Sequence, residues 1–255
     1  MIASAPERTV APYGVFARYY DAVTGDALFP LIWAAFRRAC ARHNVRFRRA
    51  ADLGCGTGAF LACLARPGRE LFGVDRSPEM LRQARSRLEG LGVTLLKQDL
   101  AELQLPKPVD LVTCNGATLN YTLSCSRLGA IFQRMHANTT FGGHLIFDMI
   151  LCHGRPTGNQ HVVQTISLPG LRARWSVRLD ASGQGSVVEM RTRLRRADGA
   201  PDVVREWHRQ RWFRREEVLQ LLNTCRWSLA GTQQLNGRVP DAAAGNWLQF
   251  VARRA

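Results

Sequence analysis

The sequence predicts an α/β fold built on a mostly parallel, helix-covered sheet, and three observations lead there. A glycine-rich turn, Gly54-Cys55-Gly56-Thr57-Gly58, joins an apolar run over residues 49–53 to a helical run over residues 59–65. A second strand-like run, Glu70-Leu71-Phe72-Gly73-Val74, ends on a carboxylate, Asp75. Strand and helix patterns then alternate as far as Met149, after which a period-two pattern takes over. In a βαβ unit, Asp75 lies at the carboxyl edge of the sheet, and the helix N-terminus aims its free N–H groups at the same place. That arrangement suits a nucleoside whose ribose diol donates to the carboxylate.

The glycine spacing separates two nucleoside ligands. A dinucleotide site uses Gly-x-Gly-x-x-Gly, so that a pyrophosphate can sit on the helix N-terminus. Here the spacing is Gly-x-Gly-x-Gly, and an acid, Asp52, directly precedes the turn. The stretch Asp52-Leu53-Gly54-Cys55-Gly56-Thr57-Gly58 resembles the first motif of the class I S-adenosylmethionine (SAM)-dependent methyltransferases. SAM carries a cationic methionine end and no phosphate, so an acid beside the glycines suits it and would repel a pyrophosphate. The expected cofactor is therefore SAM, with Asp52, Gly54, Cys55, Gly56 and Asp75 at its site.

Residues 1–12 read as a loose arm, and the resemblance runs from Tyr13 to Met149. Tyr13-Gly14-Val15-Phe16-Ala17-Arg18-Tyr19-Tyr20-Asp21 is similar to an opening segment that folds over the cofactor in this family. It implies Tyr13 and Arg18 near the methionine carboxylate and Tyr20 near the substrate; a helix that merely packs Phe16 and Tyr20 is the alternative. Residues 28–39 repeat apolar side chains at helical spacing, leading into the first core strand. Ser77-Pro78-Glu79 starts the next helix, with Ser77 as N-cap and an acid on the dipole. By resemblance, Arg76 and Met80 border the adenine, and Asp99 with the Leu100 N–H reads its edge. The fourth strand, residues 109–114, leads into Asn115, whose carbonyl together with that of Cys114 is implied to hold the methionine ammonium. Asn120 and Tyr121 then stand at the mouth of the substrate pocket. The family subset with this strand ending carries an acid near its start, where this chain has Gly116 and Ala117.

Residues 160–213 read as three alternating strands punctuated by Pro169-Gly170, Ser182-Gly183-Gln184-Gly185 and Asp198-Gly199-Ala200-Pro201. They suggest an antiparallel cap inserted after strand five, with Trp175 assigned to the substrate pocket. A helix from residue 214 and two strands, residues 227–232 and 246–252, close the chain. The expected organisation is an N-terminal arm and lid (1–27), a Rossmann-like core (28–152), the cap (153–213), and a return helix with closing hairpin (214–255). The resemblance implies a seven-stranded sheet of order 3-2-1-4-5-7-6 with the last strand antiparallel.

The chain has 255 residues, a hydrophobic content of 46% and a net charge of +15. Those values fit one domain with an insertion. All 35 basic residues except Lys97 and Lys107 are arginine, a skew that points to coding bias rather than a selected polyanion surface. Arg172, Arg174, Arg178, Arg191, Arg193 and Arg195 nevertheless alternate along the cap. This leaves RNA or protein methylation on an arginine face as the alternative to a small-molecule methyl acceptor. A homodimer also stays open. Seven cysteines without a C-x-x-C pair read as reduced residues of a cytoplasmic protein, with no metal site expected. No membrane-spanning run or leader-like apolar stretch stands out.

Methyl transfer from a sulfonium is an in-line displacement that depends on positioning and exclusion of water. A general base is needed only where the acceptor loses a proton. His153, His208 and Tyr121 are the candidates for that role. A SAM-binding protein that does not methylate, and a NAD-dependent oxidoreductase, are the remaining readings.

Overall fold

The computed structural model describes residues 7–152, 161–168, 171–179, 185–195, 201–235 and 246–255. Seven strands form the central sheet: β2 (Arg49–Leu53), β3 (Glu70–Asp75), β4 (Val93–Lys97), β5 (Val109–Cys114), β6 (Thr139–Leu151), β11 (Trp227–Gln234) and β12 (Asn246–Arg254). They are ordered β11-β12-β6-β5-β2-β3-β4. Numbered by their own succession, that is 3-2-1-4-5-7-6 read from the far edge, as expected. The strands run parallel except β12, which is antiparallel to both β6 and β11.

The helices form where apolar periodicity and caps coincide. They are α1 (Tyr20–Arg42), α2 (Ala59–Leu64), α3 (Pro78–Arg87), α4 (Cys125–Ala137) and α5 (Arg215–Thr224). Ser77 Oγ accepts from Met80 N at 3.2 Å and Ser124 Oγ from Arg127 N at 3.2 Å, each satisfying an orphan donor of a first turn. One apolar layer packs Ile32, Ala35, Phe36 and Ala39 of α1 with Leu61, Leu81 and Ile146. The other packs Leu128, Ile131 and Phe132 of α4 with Leu145, Phe147 and Phe250. Strands such as β5, buried on both faces, accordingly read as continuous apolar runs.

A second sheet, β1-β10-β9-β8-β7, stands outside the first. It consists of β7 (His161–Leu168), β8 (Leu171–Leu179), β9 (Gly185–Arg195) and β10 (Pro201–Arg211), antiparallel in succession, with β1 (Glu7–Val10) added parallel to β10. This corrects two expectations. The cap has four strands of its own rather than three, because residues 161–168 and 171–179 form two separate strands paired antiparallel. Residues 7–10 are an edge strand rather than part of a loose arm, since β10 offers a free row of backbone groups that a short extended segment can complete. The register sets Arg172 opposite Arg193, and Arg191 between Arg174 and Arg205.

Candidate active site

At the end of β2 the chain turns sharply, and Gly54 N and Cys55 N both donate to Val74 O, at 2.7 and 3.0 Å. Gly54 has φ 68°, and a Cβ there would collide with the Thr118 side chain. Only glycine meets both conditions at little conformational cost. Asp75 closes the turn from the next strand. Its Oδ2 accepts from Gly56 N at 2.9 Å and its Oδ1 from Ser77 N at 2.8 Å, so the carboxylate is fixed while each oxygen keeps a lone pair. Burial raises its pKa, with the Ser77 and Gly56 N–H bonds opposing.

These groups line a cavity of about 860 Å³, its open mouth included, bordered by Tyr13, Tyr20, Gly54, Asp75, Asn115 and Tyr121. Such a pocket, walled by aromatic side chains with a few fixed polar groups, suits a small ligand. Asn115 lines the same wall, with its side-chain amide buried beside the Asp52 carboxyl, where it opposes the rise in that group's pKa. The test of fit is Asp75, a fixed carboxylate in the cavity wall with an unused lone pair on each oxygen, which a ligand's diol would complete. The residues present therefore fit SAM.

Gly56, Arg76, Met80, Asp99 and Leu100 line the same cavity. Asp99 is already engaged: its Oδ1 accepts from Ala101 N at 2.9 Å, and its Oδ2 takes Arg127 Nη2 at 2.5 Å. Asp52, Cys55 and Cys114 lie behind the wall rather than on it, all buried. Asp52 holds the turn to β5 through Thr113 Oγ1, 2.6 Å away. The expectation for Arg18 is corrected. It is exposed, because the short 3-10 turn Phe16–Arg18 buries Phe16 and Ala17 and leaves Arg18 on the outer side. Asn120 is corrected too. Its Nδ2 donates to Ile150 O and Arg211 O and its Oδ1 accepts from Ile150 N, so the whole amide is consumed in joining two strands. The Trp175 side chain and His153 lie outside what the structure describes. His208 is not in the lining but touches it through Tyr121, whose Oη is 2.9 Å from its Nδ1.

Two carboxylates escaped the sequence reading. Asp148, on β6, is buried and accepts from Gly116 N at 2.9 Å, Ala117 N at 2.6 Å and Trp247 Nε1 at 2.9 Å. The resemblance placed an acid in the Gly116–Ala117 turn; here a carboxylate reaches that turn from the neighbouring strand. The signal was a lone acid within the apolar stretch Leu145–Leu151. Glu206, on β10, is also buried. The strand alternation sets it on the Val204 and His208 face, a signal that period-two reading could have used.

Burial pushes Asp52 up to about 7, against the Thr113 hydrogen bond, and Asp148 up to about 6, against the Ala117 N–H. Both exceed the unfolded value of about 4. Stability from a raised carboxyl is complete below the unfolded pKa and lost as pH rises through the folded one. Glu206 and Glu217 are lowered, burial being outweighed by hydrogen bonds, and their contribution is lost toward acid. The melting temperature of the ligand-free protein should therefore peak at about pH 4–5, decline up to about pH 7 and level off above it. Asp52→Asn should flatten that decline in a thermal-melt series; an unchanged slope would exclude Asp52 as its source.

The sheet order, the glycine turn and the carboxylate after the second strand together are those of a class I SAM-dependent methyltransferase fold. Residues 50–143 match the family model described as a methyltransferase domain. A Geobacillus sp. (strain WCH70) protein, provisionally named a methyltransferase, is 33% identical over 141 residues, covering 54% of this chain. That match spans 57% of the relative, little more than half its length. Among solved structures, a SAM-dependent methyltransferase from Clostridium acetobutylicum superposes with a TM-score of 0.77 at 20% identity, over 95% of this chain and 98% of that one. A SAM-bound amino pentose methyltransferase from Micromonospora echinaspora gives 0.63 at 23% identity, over 96% and 90%. Among the described residues no helix is long and apolar enough to cross a membrane.

Proposed function

We propose that the chain is a methyltransferase that binds SAM along Gly54, Gly56, Asp75 and Asn115 and methylates a small molecule. The observation that carries this is the fixed Asp75 carboxylate set beside the Gly54–Gly56 turn in one cavity wall. When bound, SAM supplies the methyl group and the leaving sulfur. The residues then bind, orient and exclude water. Tyr13, Tyr20 and Tyr121 border the same cavity and favour a compact acceptor over a polymer. The amino pentose acceptor named for the Micromonospora protein supports a small, polar substrate.

Calorimetric titration with SAM, S-adenosylhomocysteine and NAD tests the cofactor. SAM and its demethylated product should bind with dissociation constants on the order of micromolar, and NAD should not compete. Preferential NAD binding would overturn the proposal. An acceptor panel scored by S-adenosylhomocysteine release tests the reaction. SAM binding without release from any acceptor would favour a non-methylating use of the cofactor.

A further inference from the structure

A continuous chain of hydrogen bonds runs from the interior of the cap to the cavity, and its direction is set at one end. Glu206 Oε1 accepts from Val15 N at 2.6 Å and Phe16 N at 2.9 Å; its Oε2 accepts from Tyr13 N at 2.8 Å and lies 3.3 Å from His208 Nε2. Burial opposes charge there, but the bonds from His208, Phe16 and Val15 outweigh it and hold the carboxyl below its usual range. An anionic Oε2 requires His208 Nε2 to carry a proton, and in the neutral ring this leaves Nδ1 as the acceptor. Tyr121 O–H, 2.9 Å away, must then donate to Nδ1. Tyr121 Oη in turn accepts from Tyr13 O–H at 2.6 Å. Every proton in the chain points inward, the Gln210 side chain also bonds Tyr121, and the hydroxyl at the chain's outer end is that of Tyr13, in the cavity lining with Asp75.

The turn that presents Tyr13 is held under strain. Tyr13 has φ 64°, the left-handed region that a bulky residue adopts only when its surroundings impose it. Here the imposing group is Glu206, which binds the N–H of Tyr13 itself. The ring of Tyr13 also stands edge-on to His208 with centroids 4.9 Å apart.

Resting on the SAM reading above, we propose that Tyr13, Tyr121 and His208 form a proton-accepting relay with Glu206 as its counter-charge. The methyl acceptor is then an amine or alcohol whose attacking N–H or O–H is seated on Tyr13 Oη. The acceptor's lone pair forms the new bond to the methyl carbon, and the carbon–sulfur pair stays on sulfur. The acceptor's proton passes to Tyr13 Oη as the Tyr13 proton passes to Tyr121 and the Tyr121 proton to His208 Nδ1. The products are a thioether, a methylated neutral acceptor and an imidazolium beside the Glu206 carboxylate, from which the proton returns to solvent after release. Burial raises both phenols well above their ordinary range, so they conduct the proton without keeping the charge. Only Tyr13 meets substrate; Tyr121, His208 and Glu206 act through it.

The groups facing His208 are Glu206 on its own strand, Tyr121 from the 3-10 turn Thr118–Tyr121, and Tyr13 from the N-terminal segment; the Arg76 guanidinium stands 5.9 Å from the Tyr121 ring centroid. The test uses the full chain and His208→Asn, whose Oδ1 can still accept from Tyr121 but cannot take up a proton. Long-range proton–nitrogen NMR of the imidazoles, with His208 assigned by its loss in the variant, should show the Nε2–H tautomer in the wild type. On a panel of primary amines and alcohols, kcat should fall about 10²-fold or more in His208→Asn, within the range of acid–base catalysis. The dissociation constant for SAM should not change, and the pH profile of kcat should differ from that of the wild type. An Nδ1–H tautomer, or a variant with wild-type kcat and pH profile, overturns the relay while leaving the cofactor site intact. Wild-type protein that fails to bind SAM overturns the cofactor reading, and the relay with it.

Discussion

Asp75→Ala should weaken SAM binding by roughly 30- to 150-fold, the equivalent of losing charge-assisted hydrogen bonds worth about 2–3 kcal/mol. The carboxylate is preorganised by Gly56 N and Ser77 N, so a bound diol meets it already oriented. Asp75→Asn keeps one carbonyl oxygen but presents an NH2 group to a backbone N–H or to the diol, and should fall between the two. A ligand without the diol separates direct from indirect effects. 2′,3′-Dideoxyadenosine should bind wild type and Asp75→Ala with nearly equal affinity, whereas adenosine should discriminate between them. Equal penalties for both nucleosides would mean that the mutation distorts the glycine turn rather than removing a ribose contact.

Asp148→Ala should be the most destabilising of the site substitutions, by about 3 kcal/mol, lowering the melting temperature by roughly 6–12 °C. The carboxylate satisfies three N–H donors at once, two of them in the turn at Gly116 and Ala117, whose φ values are 69° and 55°. Removing it strands those donors in the interior, which costs about 1–3 kcal/mol each before relaxation. Ala117 sits in a conformation that L-residues rarely take, and the Asp148 bond at 2.6 Å opposes its relaxation. Because Asn115 immediately precedes this turn, SAM affinity should drop with stability. A melting temperature within 2 °C of wild type, by scanning calorimetry, would show that water replaces the carboxylate.

The cofactor half was legible because its signals are local. Ser77-Pro78 starts a helix, Asp75 ends a strand, and Gly54-x-Gly56 makes a turn that no other residue makes as readily. Each of these can be judged within about ten residues. β1 could not be read that way. Four residues carry too little periodicity to stand out, and their partner, β10, lies some two hundred positions along the chain. The same distance separates Tyr13 from Glu206, so nothing near either residue marks the bond between them. Arg18 shows how resemblance alone can mislead. It occupies the expected place in the aromatic segment, but a 3-10 turn, rather than a continued helix, rotates it outward. Asn120 reads in sequence as a polar residue free for substrate, whereas its amide is consumed by strand backbones that the topology brings alongside.

The parallel pairing of β1 with β10 also bears on the order in which the molecule is completed. β1 is synthesised well before it can pair, because its partner strand and the Glu206 carboxylate arrive some two hundred residues later. Closing so long a loop is slow and entropically expensive. The α/β core, assembled from near neighbours in sequence, can therefore be finished while the cavity still lacks its Tyr13 side. A nascent or partly refolded molecule in that state would expose the glycine turn and Asp75 to ligand from above. Cofactor binding would then precede docking of β1, and the ligand would become part of the surface on which that strand settles.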